Sequence, residues 1–442
     1  MIDLGNLRNV RELGHGGFGR VYEVVDPNGV RAALKTLEPE KHVGDVLTQG
    51  ELTARFAREV RYQSAMDHPN VVRILGHHLT GTPPWFVMPL AECTMEQELS
   101  KDRTFGGSLA RVLYDILSGL EALHAAGYVH RDLKPSNVLR YRDPAGAPQY
   151  AVSDFGLMSS PNGTSTTLTP SDAGGGTPLY AAPELVTNLK RATPAADIYS
   201  FGAILHDIFV GTKRTPYSQL QGPGLIGEVI EKCTRRLPRL RYRDVVELRE
   251  ALFKALDGYT PTFSSDEEAH VVGMLNGANA LTDDQWERVL LLMEQYEFEK
   301  RSLSNIFRAL SVQHIASLEA TSKDMFVAIA SDFCAYVTGH RFDFDYCDVL
   351  AGKLDAIFKI GSVEIKALAL LALLELGASH NRWFVEGKFM ELASLKLDPQ
   401  VAHRFLIEAP IQGVDVQARI AHVEWSISAS RSVLSPIIQA AL

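Results

Sequence analysis

Apolar and polar residues alternate along the first hundred positions in the manner of strands and turns. Gly14 to Gly19 is a glycine-rich turn between two β-prone runs, and Val30–Leu37, Val71–Leu75 and Trp85–Met88 read as further strands. Between them, Glu51–Met66 carries Leu52, Phe56 and Val60 at helical spacing and is stopped by His68-Pro69. From Ser108 the period becomes helical, with Leu109, Val112, Leu113, Ile116, Leu117, Leu120 and Leu123 on one face. Ser159–Gly176, rich in Ser, Thr, Gly and Pro and without periodicity, predicts a mobile loop. A second helical stretch begins at Asp197, and Gly258-Tyr259-Thr260-Pro261 ends the region.

An acidic linker, 259–281, is expected next, carrying Asp266, Glu267 and Glu268. Only helices follow, over 282–442. Thr282 with Gln285 is a capping-box pair opening a helix that turns Trp286, Val289, Leu290 and Met293 inward. Further helices are expected near 300–318, 322–337, 345–359, 362–376, 382–395, 398–408 and 414–430. Ser362 and Asp398 start two of them 36 residues apart, a spacing that suits stacked helical pairs.

Composition narrows the class. The chain has 442 residues, 46% hydrophobic and 22% charged, the balance of a globular protein of several domains. Its four cysteines lie far apart with no CxxC pair, which argues against a disulfide framework or a cysteine zinc site. The opening residues lack the basic and apolar regions of a secretory leader. The longest apolar run, Ala367–Leu374, is far short of the roughly twenty residues of a membrane span. A cytoplasmic protein without membrane partners is expected. The net charge of −9 resides in residues 259–442, with 24 Asp+Glu against 15 Lys+Arg, so nucleic acid is not an expected partner.

Gly14-His15-Gly16-Gly17-Phe18-Gly19 matches G-x-G-x-x-G, where absent Cβ atoms let backbone N–H groups approach phosphate oxygens. The β-branched run after Gly19 favours a hairpin over a nucleotide rather than a dinucleotide loop, which needs a helix there. Lys35 follows on a nearby strand, and Glu59 on the striped helix can hold its ammonium beside phosphates. The decisive segment is His130-Arg131-Asp132-Leu133-Lys134-Pro135-Ser136-Asn137, which fits H-R-D-L-x-x-x-N at every fixed position. Asp132 can accept a hydroxyl proton, Lys134 can neutralise a transferring phosphoryl group, and Asn137 can ligate a hard cation. Asp154-Phe155-Gly156 supplies a second cation-binding oxygen at Asp154.

Taken together these motifs resemble the eukaryotic-type (Hanks-type) Ser/Thr protein kinases, in a bacterial-like arrangement with a helical C-terminal domain. The resemblance covers about residues 5–258 and implies an α+β bilobal fold: a β-rich N-lobe over about 5–91, a helical C-lobe over about 92–258. It assigns Ala182-Pro183-Glu184 to the end of the activation segment, with Glu184 paired to Arg241, and Asp197 to the start of a buried central helix. It places Met88 at the gatekeeper position, Pro89 to Ala91 at the adenine-contacting hinge, and Val21 and Ala33 around the adenine ring. It implies ATP with Mg2+ or Mn2+, bound through Asn137 and Asp154, and protein substrates. Lys134 and Thr177, the latter expected to contact Asp132 and Lys134, mark Ser/Thr rather than Tyr specificity. Autophosphorylation is expected within 159–171, where a phosphate could pair with Arg131. Gln63 stands where an apolar residue often completes a stack with Phe155 and His130, and Lys35 and Glu59 are separated by a loop, His42 to Gly50. Ser136 replaces a glutamate of arginine-directed kinases, a slight argument against basic substrates. The helical domain is expected to bind a protein partner or the kinase domain. Two other readings are weaker. A scaffold pseudokinase usually lacks one of the Lys, HRD or DFG positions, and a small-molecule kinase lacks the glycine loop and the APE segment.

Overall fold

The computed structural model describes residues 2–16, 19–40, 48–143, 146–155, 178–186, 192–278 and 280–442. The chain divides into two units, Met1–Leu256 and Asp257–Leu442.

The first unit opens with strands β1 (Arg8–Gly16), β2 (Gly19–Val25) and β3 (Arg31–Thr36), then helix α1 (Gln49–Ser64), and strands β4 (Gly76–His78) and β5 (Trp85–Pro89). They form one antiparallel sheet in the order β1-β2-β3-β5-β4. α1 starts at a capping box, Thr48 with Glu51, and buries Leu52, Phe56, Glu59, Val60 and Gln63 against the sheet. The strand expected over Val71–Leu75 is displaced. Val71 makes a single parallel bridge to Val152, and the regular strand begins at Gly76. The intervening backbone is drawn elsewhere: Gln63 Nε2 donates to the Val72 carbonyl at 2.6 Å and Val72 N–H to Val152.

A second sheet, β6 (Cys93–Thr94), β7 (Val138–Arg142) and β8 (Pro148–Val152), lies with helices α2 (Met95–Leu99) and α3 (Leu109–Ala125). Helices α4 (Pro194–Phe209), α5 (Gly224–Cys233) and α6 (Val245–Leu256) complete the unit. The apolar face anticipated on α3 is buried, and α4 is buried along nearly its whole length.

The second unit is helical throughout its regular structure: α7 (Asp266–Gly277), α8 (Asp283–Phe298), α9 (Ser304–Ala309), α10 (Val312–Thr321), α11 (Lys323–Gly339), α12 (Phe344–Ile360), α13 (Val363–His380), α14 (Trp383–Leu392), α15 (Pro399–Ile411), α16 (Val416–Ile427) and α17 (Pro436–Gln439). The apolar run Ala367–Leu374 lies in α13, the core helix against which α11, α12, α14 and α15 pack. Ser362 and Asp398 are the N-caps of α13 and α15. Residues 259–281 are not a plain linker. They contain α7, and Glu268 accepts hydrogen bonds from Ser264, Asn305 and Tyr296 while Asn305 also donates to the Thr262 carbonyl. The polar composition that suggested a linker is a buried hydrogen-bond hub joining α7, α8 and α9. No helix among the described residues is long and apolar enough to cross a membrane.

Candidate active site

Lys35 is the last residue but one of β3, paired across the ladder with Val21 and Phe86. Glu59 falls on the buried face of α1 because it shares a helical stripe with Leu52, Phe56, Val60 and Gln63. A carboxylate 4% exposed among apolar groups needs a cation, and Lys35 Nζ supplies one at 2.6 Å from Glu59 Oε1. The same Nζ lies 3.2 Å from Asp154 Oδ1, so the loop between Lys35 and Glu59 does not hold them apart. Burial pushes the Lys35 ammonium down, but Asp154 and Glu59 more than offset this and hold it above its ordinary range. Asp154 shows the opposite balance. Its place deep in the cleft raises the carboxyl, yet Lys35 and then Lys134 bring it well below the usual carboxylate range, with 44% of the side chain still open.

The segment His130–Asn137 is fixed from below by Asp197, at the start of α4. Asp197 Oδ2 accepts from the His130 N–H at 2.9 Å and from His124 Nε2 at 2.8 Å, and Oδ1 accepts from the Arg131 N–H at 2.8 Å. His130 Nε2 donates to the Ser153 carbonyl at 2.9 Å, leaving Nδ1 to accept from the Asp132 N–H at 3.3 Å. Its ring lies 5.4 Å from Phe155. Arg131 and Asp154 both adopt left-handed backbone, φ 71° and 66°. Above this base, Asp132 Oδ2 receives Lys134 Nζ at 2.9 Å and Asn137 Nδ2 at 3.3 Å, and Nδ2 also donates to the Asp132 carbonyl at 2.8 Å. With Nδ2 turned to Asp132, the amide oxygen of Asn137 is left out of these two bonds.

Asn137 immediately precedes β7 and Asp154 closely follows β8, and Ser153 N–H and Oγ both bond the Asn137 carbonyl, at 2.8 and 3.0 Å. The β7–β8 hairpin therefore ties the segment carrying Asn137 to the one carrying Asp154. A donor set of one amide oxygen and one carboxylate fits Mg2+ or Mn2+, hard ions held by one or two protein oxygens together with phosphate and water.

The walls of the cleft come from three strands and a hairpin. Gly14 and Gly16 lie in β1 and Gly19 opens β2; Gly17 and Phe18 lie outside the described residues. Gly19 is required sterically, because a Cβ there would stand 2.3 Å from the Thr36 carbonyl oxygen. Val21, Ala33 and Met88 belong to one apolar cluster, which also takes in Leu139 of β7. Pro89 closes β5 and Ala91 follows it, partly buried. Pro89 has no N–H, so within this stretch any backbone donation to a base falls to Leu90 or Ala91. Two residues were missed in the sequence. Leu139 had a signal, two positions after Asn137. Arg55, one turn before Glu59, is pushed down to about 10 by burial while the charges of Asp154, Glu59 and Asp132 pull it up. Thr177 and 159–171 lie outside the described residues.

Glu184 accepts two guanidinium bonds from Arg241, at 2.7 and 2.8 Å, and the fully buried Arg241 side chain also reaches the Ala195 carbonyl. Residues 7–254 match the protein kinase domain family. The chain belongs to the protein kinase family. Its kinase domain is of the bacterial Hanks Ser/Thr type, bilobal and followed by the all-α unit. It is similar to the probable serine/threonine-protein kinase PkwA of Thermomonospora curvata, 31% identical over 54% of this chain and 30% of that protein. Pkn1 of Myxococcus xanthus is 31% identical over 58% of this chain and 39% of its own length. PkaB of Streptomyces coelicolor is 34% identical over 50% and 51%. The chain thus spans between 30% and 51% of the length of these relatives.

Proposed function

We propose that the protein is an ATP-dependent serine/threonine kinase that transfers the γ-phosphoryl group to protein hydroxyls. The observation that carries this reading is the meeting of Lys35, Glu59 and Asp154 with Asp132, Lys134 and Asn137 in one cleft. Lys35, clamped by Glu59, binds phosphate oxygens and fixes the nucleotide for in-line transfer. The glycine turn covers the phosphates, and Val21, Ala33, Met88 and Leu139 enclose the base. Asp132 orients the acceptor hydroxyl and takes its proton as the new O–P bond forms and the bond to ADP breaks. Lys134 shields the charge gathering on the phosphoryl oxygens. Mg2+ or Mn2+, held by Asn137 and Asp154, supplies neutralising charge at the phosphates. Thr177 would complete the acceptor side. We place the protein in the cytoplasm, and read the helical unit as a partner-binding domain.

Arg131 supports autophosphorylation within 159–171. Burial lowers its guanidinium to about 10 against the pull of Asp197, a condition a phosphate would relieve. The test is transfer of radiolabelled phosphate from ATP to a generic protein acceptor. Asp132→Asn should reduce the rate about 10²–10⁴-fold while the thermal shift given by ATP and Mg2+ persists. Undiminished transfer would overturn the assignment. Mass spectrometry of the active protein should find phosphate within 159–171; its absence there would remove the autophosphorylation part alone.

A further inference from the structure

The second unit carries a surface that its own packing does not explain. Along α8 the exposed residues Glu287, Leu291, Glu294 and Phe298 recur at helical spacing and form one stripe, while Trp286, Val289, Leu292, Met293 and Tyr296 are buried on the other side. Leu291 is 60% exposed and Phe298 90%. The two large apolar side chains lie two turns apart on this solvent-facing helix, with carboxylates beside and between them.

Its charge is equally one-sided. α8 holds five carboxylates and a single guanidinium, Arg288, which is committed to Glu267. Among the described residues Glu287, Glu294, Glu297 and Asp332 of α11 stand in no ion pair. α8 packs against α11, and burial, and then the proximity of Glu297 and Glu294, raises the Asp332 carboxyl to about 6. An anionic membrane or a nucleic acid would be repelled by this face, and an acidic protein segment likewise.

We propose that the α8 stripe, together with Asp332, is a docking surface for a basic amphipathic segment of a partner protein. Apolar side chains of that segment seat on Leu291 and Phe298, and its lysines or arginines lie against Glu287, Glu294, Glu297 and Asp332. This inference rests on the reading of the helical unit as a partner-binding domain and is independent of phosphotransfer.

The test uses the full chain and a fluorescent Lys/Leu amphipathic peptide of about four helical turns, long enough to hold helix once bound. Controls are a scrambled peptide of the same composition and one with Glu in place of Lys. Anisotropy should show the basic amphipathic peptide binding at least about tenfold more tightly than either control, and less tightly as salt rises. Leu291→Ser with Phe298→Ser, and separately Glu294→Lys, should each weaken it about tenfold. All are exposed positions, and phosphotransfer to a generic acceptor should be unchanged. Equal binding of the scrambled peptide would overturn the proposal. If binding persists in both variants, the unit still binds a partner but this face is not the place. If wild type self-associates in sedimentation and Leu291→Ser with Phe298→Ser abolishes it, the occupant is a second copy and the proposal fails.

Discussion

Replacing Lys35 by methionine removes the ammonium that lies 2.6 Å from Glu59 and 3.2 Å from Asp154. Glu59, 4% exposed, then loses its counter-charge at 2.6 Å, keeps only the weaker pull of Arg55, and is driven to take a proton. Protonating at pH 7 a carboxyl whose ordinary value is 4.5 costs about 3 kcal/mol at 1.36 kcal/mol per unit. That caps the penalty near the lower end of the roughly 3–5 kcal/mol seen when one partner of a buried pair is removed. The sign with pH follows. In Lys35→Met the folded Glu59 value lies above the unfolded one, so stability is retained below about pH 4.5 and lost as pH rises. Hydrogen exchange of peptides covering β3 and α1 should therefore show much more opening at pH 8 than at pH 5.5. Adding Glu59→Gln should restore protection by removing the stranded charge, but not phosphotransfer, which stays about a thousandfold down because Lys35 itself binds phosphate. A double variant that regains transfer would refute this reasoning, since Lys35 would then serve only to hold α1. Transfer by Lys35→Met within tenfold of wild type would refute it as well.

Other outcomes can be stated briefly. Gly19→Ala drives a Cβ to 2.3 Å from a backbone oxygen of the paired strand, whereas Gly14→Ala meets nothing within 4 Å. The first should cost roughly 1–3 kcal/mol of stability, the second should leave stability nearly unchanged, and thermal unfolding compares them. Arg241→Lys loses the bidentate grip on Glu184 and leaves carbonyls unbonded, so calorimetry should show the kinase domain melting several degrees lower with KM for ATP unaltered. In the helical unit, burial raises Glu386 to about 7, opposed by the Ser426 hydroxyl that donates to it at 2.7 Å. Because the folded value exceeds the unfolded, stability there should fall by about 3 kcal/mol as pH climbs from 4.5 to above 7. Glu386→Gln should flatten that decline in urea titrations across pH.

Much of the kinase domain was legible because its chemistry is written in short, fixed spacings. The stretch from His130 to Asn137 is one turn and its flanks, so sequence neighbours are also spatial neighbours. Lys35 and Glu59 were legible as residue types, but their contact depends on how α1 is rotated, which the Leu52–Phe56–Val60 stripe sets. Arg55 escaped because a lone arginine on an amphipathic helix reads as a solvated edge; only the fold buries it within reach of the charges of Asp154, Glu59 and Asp132. Val71–Leu75 misled because β-branched residues suggested a ladder where Gln63 and Val152 take the backbone groups instead. The acidic stretch before residue 282 misled for a related reason. Glu268 looks like a surface charge until Ser264, Tyr296 and Asn305 are seen closing around it.

Arg131 and Asp154 bend the chain in a sense that glycine would tolerate at no expense, yet neither is glycine. Each such bend sets the fold back by something on the order of 1 kcal/mol. A variant with glycine at either place would relax the main chain and forfeit the side chain that the bend presents. The two loops that carry them are thus held in shape by their surroundings, Asp197 beneath one and the Asn137 carbonyl beside the other. Loosening either support should let the backbone revert before any cleft residue is itself changed.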